Sequence, residues 1–552
     1  MTETTASIAE NPRPSTSARN GWAVLILATL YVCYFSHLGA IGFVGPDEPR
    51  YAWIARDMVE TGDWVTPRLY GKPWFEKPVL YYWGAALCFK LFGVSEAAAR
   101  LPSAISALLA TLALAWFALR LYGAETARWL LLLLPTTVGM IGFSHAAATD
   151  MPFSGMLTIA MVCAAVVIGL TRDANSPVVP QTPWLALILF GFFLGLAVLA
   201  KGPAAIILSG GAIFFWALFT KRWRDAFRLF HPAAIASLCL TALPWYILCA
   251  RRNPDFFRIF IIEHNFKRYL TPEFQHIQPF WFYIPITILA LLPWATLAPL
   301  LFADAWRAWS ENRWRSSPAL LFTCWAVLTL VFFSISKSKL PGYVLPAIPP
   351  IVLLLTRAAS LRLRSAGPGS RWIGIVSRMT IFCIAGATLA EIDKIPFQVD
   401  YSPPGPLGIV IVTLGFSGII ASILGAFKKT VPALSLSVAV FLGAIVFSLT
   451  GDAVWSLDKG ISSRVAASYA WETTRNSPDR QILVRGLPRA ERYGLSFYLH
   501  RELQEWTPNE RQHGWVLTNY EGQEGLRQLG LTCPPMRRGA PIAICEEDGL
   551  AD

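Results

Sequence analysis

The chain has 552 residues, 54% of them hydrophobic and 15% charged, with 47 Lys and Arg against 35 Asp and Glu for a formal net charge of +12. An ordinary soluble domain carries roughly 25% charged residues, so this composition argues against a water-soluble fold. The basic residues are scattered between apolar runs with no basic face or block, which argues against nucleic acid as the partner.

From the N-terminus, Met1 to Asn20 is polar and rich in Ser and Thr, and the apolar run after it has no small-residue cleavage site of the signal-peptide kind. That run is expected to remain as the first membrane helix. Stretches of about 20 apolar residues are long enough to cross the hydrocarbon core. In order they are Trp22 to Phe43, Leu101 to Leu121, Ala127 to Ala146, Met151 to Leu170, Trp184 to Ala200, Ala204 to Thr220 and Ala233 to Cys249. Phe280 to Phe302, Pro318 to Ser336, Val344 to Thr356, Ile373 to Ala390, Leu407 to Phe427 and Val431 to Leu449 follow.

The short run Val79 to Phe92 contains Lys90 and reads as an interfacial or re-entrant helix. Leaving it out places Arg120, Arg172, Lys221, Arg222, Arg224, Arg307, Arg313, Arg315, Arg357, Arg362, Arg364, Lys428 and Lys429 on one side, which the positive-inside rule makes the cytoplasm. The expected fold is mainly α, a polytopic membrane protein of about thirteen spans, with roughly fourteen as the alternative if Val79 to Phe92 also crosses. Residues 1–21 would form a cytoplasmic tail, 22–451 a transmembrane domain with an external loop at 44–100, and 452–552 an external domain.

From Gln481 the pattern changes to short β-like runs, Ile482 to Val484, Trp515 to Thr518 and Ile542 to Cys545, between helix-like polar stretches, which suggests a small α/β domain. Seven of the nine cysteines lie in apolar stretches without metal-ligand spacing. Cys533 and Cys545 fall in the polar C-terminal region and are expected to pair in an oxidising compartment.

The exceptions to the charge rule carry the functional signal. Lys72, Lys77, Lys201, Arg251, Arg252, Arg258, Lys267, Arg268, Lys337 and Lys339 are all expected on the external side, most of them close to a helix end. Binding to the headgroups of anionic outer-leaflet lipids is an alternative reading for any single one of them. Asp47, Glu48, Glu76, Asp150, Glu263 and His264 occupy the same side, and ionisable groups near a membrane are functional candidates. Asp47 alone also fits as the N-cap of a helix starting near Pro49, a reading that does not extend to Glu76-Lys77 or to Asp150. Ordinary helical spacing from Arg258 to Leu270 would put His264, Lys267 and Arg268 on one face able to grip a phosphate.

These segments resemble the bacterial aminoarabinose transferases that modify lipid A, within the larger class of polytopic glycosyltransferases using polyprenyl-phosphate sugars. The resemblance rests on the Asp47-Glu48 loop, Gly62-Asp63-Trp64, Phe75-Glu76-Lys77-Pro78, Ala99-Arg100-Leu101-Pro102, Asp150, Lys201-Gly202, Leu243-Pro244-Trp245, His264 to Leu270 and Lys339-Leu340-Pro341-Gly342-Tyr343. It implies transfer of 4-amino-4-deoxy-L-arabinose from undecaprenyl phosphate to a lipid A phosphate at the periplasmic face of the inner membrane. Such transfer lowers the negative charge of lipid A and implies resistance to cationic peptides.

On that resemblance Asp47, Asp150 and Lys77 are the catalytic candidates, with Glu48, Arg50, Tyr51, Lys201, Lys267, Arg268, Lys337, Lys339 and Tyr343 as substrate-binding ones. Cations at the departing phosphate stabilise its growing charge, which suits Lys77, Arg268 and Tyr343. The acceptor phosphate is already anionic and needs little from a general base. Asp47 or Asp150 would then hold the sugar's ammonium group or stabilise positive charge near the anomeric carbon. In relatives that glycosylate hydroxyls the first-loop aspartate is taken as the base. Glu76 with His264 suggests a divalent cation, zinc or similar, although two ligands are fewer than a closed site needs. The implied partners are the lipid-linked donor, lipid A and membrane lipid. Two alternatives are a polyprenyl-phosphate mannosyl- or other glycosyltransferase acting on protein or another glycan, and a transporter of a lipid-linked sugar. The transporter reading is weakened by the absence of a visible repeat.

Overall fold

A computed structural model describes residues 16–170, 183–267, 277–363, 367–392, 430–448, 458–475, 480–508, 514–535 and 542–547. The expected span Leu407 to Phe427 lies outside these residues, as does Arg268. Apolar helices dominate. Among the described residues five helices are able by length and composition to cross a membrane, or up to seven if each of two bent pairs is one span, with four shorter apolar helices beside them.

Helix α1 (Thr16–Tyr34) leads into the layer that the charge pattern expects to be external, made of α2 (Asp47–Thr61), a hairpin pairing β1 (Arg68–Leu69) with β2 (Lys72–Pro73), and α3 (Leu80–Phe92). At 13 residues α3 rises only about 20 Å, too short to cross, consistent with an interfacial helix. The chain then enters α4 (Glu96–Tyr122), whose first turn is closed by the Ser95 hydroxyl accepting from the Ala98 N–H at 3.2 Å.

The run Ala127 to Ala146, expected as one span, is two helices, α5 (Ala124–Leu133) and α6 (Val138–Ser144), bent by 61°. Pro135 sits at the break, where its missing N–H cannot continue the ladder. Helix α7 (Asp150–Val167) is apolar all round, and 89% of its span is buried. It packs against α4 and α8 (Trp184–Lys201). Next come α9 (Ala204–Thr220), α10 (Trp223–Phe227) and α11 (Pro232–Arg252).

Residues Arg258–Lys267 form a wide π-helical segment. This corrects the expected i and i+3 or i+4 spacing, because each π turn takes up more residues than an α turn; such segments often mark functional sites. The span expected at Phe280 to Phe302 is also broken. Helix α12 (Tyr283–Leu291) stops before Pro293, and the chain restarts at Trp294 in a short 3-10 turn continued by α13 (Ala298–Ser310), bent by 99°. Helix α14 (Ala319–Ile335), a 3-10 turn over Pro341–Ala347, α15 (Ile348–Ser360), α16 (Pro368–Ile392) and α17 (Thr430–Ser448) complete the described membrane part.

The C-terminal part is a four-stranded sheet in the order β4-β3-β5-β6, using β3 (Gln481–Val484), β4 (Gln504–Glu505), β5 (Gly514–Thr518) and β6 (Ala543–Glu547). Strand β3 is parallel to both neighbours, and β6 is antiparallel to β5. Helices α18 (Arg464–Thr474), α19 (Arg489–Tyr498) and α20 (Tyr520–Gln528) accompany it. Cys533 and Cys545 form a disulfide, as their setting predicts.

This α/β unit is fastened to the external layer by a polar clamp. Asp458 accepts from the Gly42 N–H and the Ser462 hydroxyl, each at 2.6 Å, and pairs with Arg464 at 2.7 Å. Arg464 also donates to the Gly39 and Ala40 carbonyls. Tyr498 donates to Glu96 at 2.8 Å and accepts from the Phe43 N–H at 2.9 Å. Burial alone would raise the Asp458 carboxyl, but the hydrogen bonds from Ser462, Gly42 and Arg464 hold it below its ordinary value. A carboxyl with a depressed folded pKa contributes stability that is complete above its unfolded value, about 3.9, and lost as pH falls through the lower folded value. Protease cleavage around residue 458 is therefore expected to rise below that point, and Asp458→Asn to weaken the clamp at neutral pH and flatten this acid dependence.

Candidate active site

The external layer and the ends of α7 and α8 carry two charged clusters. In the first, Asp47 is the opening residue of α2; Pro46, not Asp47, holds the cap position. Its carboxylate pairs with Arg50 one turn later. The other side of the Arg50 guanidinium meets Glu76 at 3.1 Å, and its Nε donates to the Pro46 carbonyl at 2.9 Å. The Arg50 side chain is only 6% exposed whereas that of Asp47 is 46% exposed, so the cation is internal and the carboxylate faces the open side.

Burial alone would weaken the Arg50 cation, but Glu76 and Asp47 more than offset it and hold the guanidinium above its ordinary value. Three rings surround it, Tyr51, Trp74 and Tyr493, with centroids 5.9, 5.6 and 5.2 Å from Cζ. Burial, reinforced by Asp47 and Glu76, pushes the Tyr51 phenol well above its usual range, so it stays neutral. Lys77 follows Glu76, half-buried, in the turn before α3.

In the second cluster, Asp150 opens α7 and Lys201 closes α8, and their side chains meet at 2.6 Å. The Lys201 ammonium also lies 4.5 Å from the Tyr343 ring. Close packing sets this arrangement, because a Cβ at Gly342 would come within 2.6 Å of the Asp150 carboxylate. Only glycine lets the Leu340-Pro341-Gly342-Tyr343 turn approach.

One buried carboxylate ties the loops bearing both clusters together. Glu48 accepts from the Val44 N–H at 2.7 Å and from the Ala147 N–H at 2.6 Å, three residues before Asp47 and Asp150 respectively. Its two oxygens also take a forked pair from Arg100 at 3.1 and 2.7 Å. Arg100 uses its other donors on the carbonyls of Leu38, Ile41 and Gly42. Glu48, expected to bind substrate, therefore has both oxygens engaged in architecture. Arg100, seen in the sequence only as part of a motif, is its partner.

Other expected residues are placed differently. Lys339 is buried and donates to the Ser336 and Gln278 carbonyls at 2.6 and 3.1 Å, bracing its own turn. Lys337 and Lys267 are exposed, and His264 is half-buried. Among the described residues no group of three or more His, Cys, Asp or Glu is placed to hold a metal; Glu76 pairs with Arg50. The motif around Asp63 is structural: its carboxylate pairs with Arg252 at 3.0 Å and Arg68 at 3.3 Å. Nearby, Trp245 donates to the Val65 carbonyl at 2.9 Å.

The family described as Dolichyl-phosphate-mannose-protein mannosyltransferase matches residues 21–260. An undecaprenyl phosphate-alpha-4-amino-4-deoxy-L-arabinose arabinosyl transferase of Erwinia tasmaniensis is 35% identical over 327 residues, covering 59% of this chain and 56% of that protein. The enzyme of the same name from Pseudomonas aeruginosa is 31% identical over 402 residues, covering 72% of this chain and 70% of that one. Among solved structures, ArnT from Cupriavidus metallidurans bound to undecaprenyl phosphate superposes with a TM-score of 0.75 at 24% identity, covering 96% of this chain and 99% of that one. The likeness in structure is one of fold.

Proposed function

Since the chain belongs to the family of undecaprenyl phosphate-alpha-4-amino-4-deoxy-L-arabinose arabinosyl transferases, we propose that it moves this aminosugar from the polyprenyl phosphate to a phosphate of lipid A. It does so at the periplasmic face of a bacterial inner membrane. Residues 22–451 form the membrane transferase domain, with about thirteen spans. Residues 452–552 form a periplasmic domain.

The observation that carries the reading is the Glu48–Arg100 knot, which fastens the two aspartate-bearing loops beside one another at the external layer. In the reaction the bond between the anomeric carbon and the donor phosphate oxygen breaks, and the electron pair leaves with the polyprenyl phosphate. A lipid A phosphate oxygen forms the new bond to that carbon. An ionised acceptor needs no proton removed, so Asp47 and Asp150 serve as counter-charges to the sugar's ammonium group and to the oxocarbenium-like carbon. Lys77, with Arg268 and Tyr343, stabilises the departing phosphate. Arg50 holds the Asp47 carboxylate in place through their ion pair. Glu76 and His264 offer too few protein ligands for a closed metal site.

The test is transfer by the purified full chain from a synthetic undecaprenyl-phosphate aminoarabinose to lipid A, read by mass spectrometry. Lipid A carrying added aminopentose is expected. The match to a mannosyltransferase family favours one competing arm, a polyprenyl-phosphate mannose with a protein acceptor. Turnover there and none with lipid A would overturn the proposal.

A further inference from the structure

The C-terminal domain shows no motif in the sequence, yet one of its helices touches the first charged cluster. Helix α19 begins at Arg489 and carries Tyr493 one turn later, so both side chains share a face. The Tyr493 ring lies 5.2 Å from the Arg50 Cζ. It is therefore a wall of the cage around Arg50 that the external layer itself does not supply. Tyr70 of the external hairpin stacks on the same ring at 6.5 Å and 18° between planes, which fixes its position. On this ring also rests Arg489, its Cζ 5.9 Å from the centroid. Arg489 is exposed and makes no ion pair among the described residues. Arg492, on the same helix, is already engaged by the Leu503 carbonyl and Glu505.

We propose that α19 forms the acceptor-side wall of the site: Tyr493 is a positioning residue that holds the Arg50 guanidinium between Asp47 and Glu76, and Arg489 binds an anionic group of the incoming acceptor. Arg50 is held by two carboxylates within its own layer, and the ring from the other domain closes the face those carboxylates leave. A cation held against an aromatic face keeps its outer donors available, and a guanidinium matches a phosphate in two-pronged fashion. The α/β domain thus sets acceptor recognition, while the donor is met by the membrane part. This rests on the proposed transfer to an anionic lipid.

The experiment uses the full chain in lipid nanodiscs, with donor and acceptor varied independently. Arg489→Glu is expected to raise the acceptor KM about tenfold, more at low salt than at high, while the donor KM and kcat stay near wild type. Tyr493→Ala should lower kcat about tenfold, the scale of a desolvated cation–π contact, and Tyr493→Phe should restore most of it because the ring is kept. Intact protease resistance of the C-terminal domain in each variant excludes misfolding as the cause. Equal loss in Tyr493→Phe and Tyr493→Ala, or unchanged acceptor KM in Arg489→Glu, would overturn the inference while wild-type transfer still stood. No transfer by the wild type would instead remove the functional reading beneath it.

Discussion

Arg100→Ala is expected to cost about 3–5 kcal/mol of stability, the range seen when one partner of a buried ion pair is removed. The reason is local. Glu48 is 7% exposed and would be left as a buried carboxylate without its counter-charge, and the carbonyls of Leu38, Ile41 and Gly42 would lose their donor. Because Glu48 also holds Val44 and Ala147, the loops bearing Asp47 and Asp150 should loosen together. Arg100→Lys retains the charge but not the fork, and should recover only part of the loss. The measurement is thermal unfolding in detergent by size-exclusion fluorescence; a melting curve indistinguishable from wild type would mean that the knot is not a fastening.

Lys77→Ala should lower kcat by about 10²- to 10³-fold, the usual effect of removing one preorganised group at developing negative charge. Lys77 sits in the turn after Glu76, whose carboxylate is fixed by Arg50, so its backbone is anchored. In the proposed mechanism its ammonium matters most as the phosphate departs, so kcat should fall far more than donor affinity does. Lys77→Arg should keep part of the activity. Steady-state kinetics with varied donor separate these outcomes. An alanine variant within threefold of wild-type kcat would assign the departing phosphate to other cations.

Much of the membrane part was legible because crossing a bilayer demands long apolar runs, and α4, α7, α8 and α11 follow those runs closely. Hydropathy does not encode direction, so the bends at Pro135 and Pro293 were invisible within runs that read as straight. The three β-like runs became β3, β5 and β6, whereas β4, two residues long, carries too little pattern to notice. Asp47 and Glu48 look alike in sequence. They differ because adjacent helical residues point about 100° apart, which sends Glu48 into Arg100, 52 residues away, and leaves Asp47 beside Arg50. A contact such as Tyr493 on Arg50 links residues more than 400 positions apart and leaves no local signature.

The proposed transfer requires the charged groups of the site to share one external face. Single cysteines placed at Lys72 and Lys337, both exposed, and at Lys221 as the opposite-side control, would be reacted with a membrane-impermeant maleimide in intact spheroplasts lacking the seven free cysteines. Labelling at 72 and 337 before lysis, and at 221 only after it, is the expected result. Opposite accessibility for 72 and 337 would contradict the account, because the two clusters would then face different compartments.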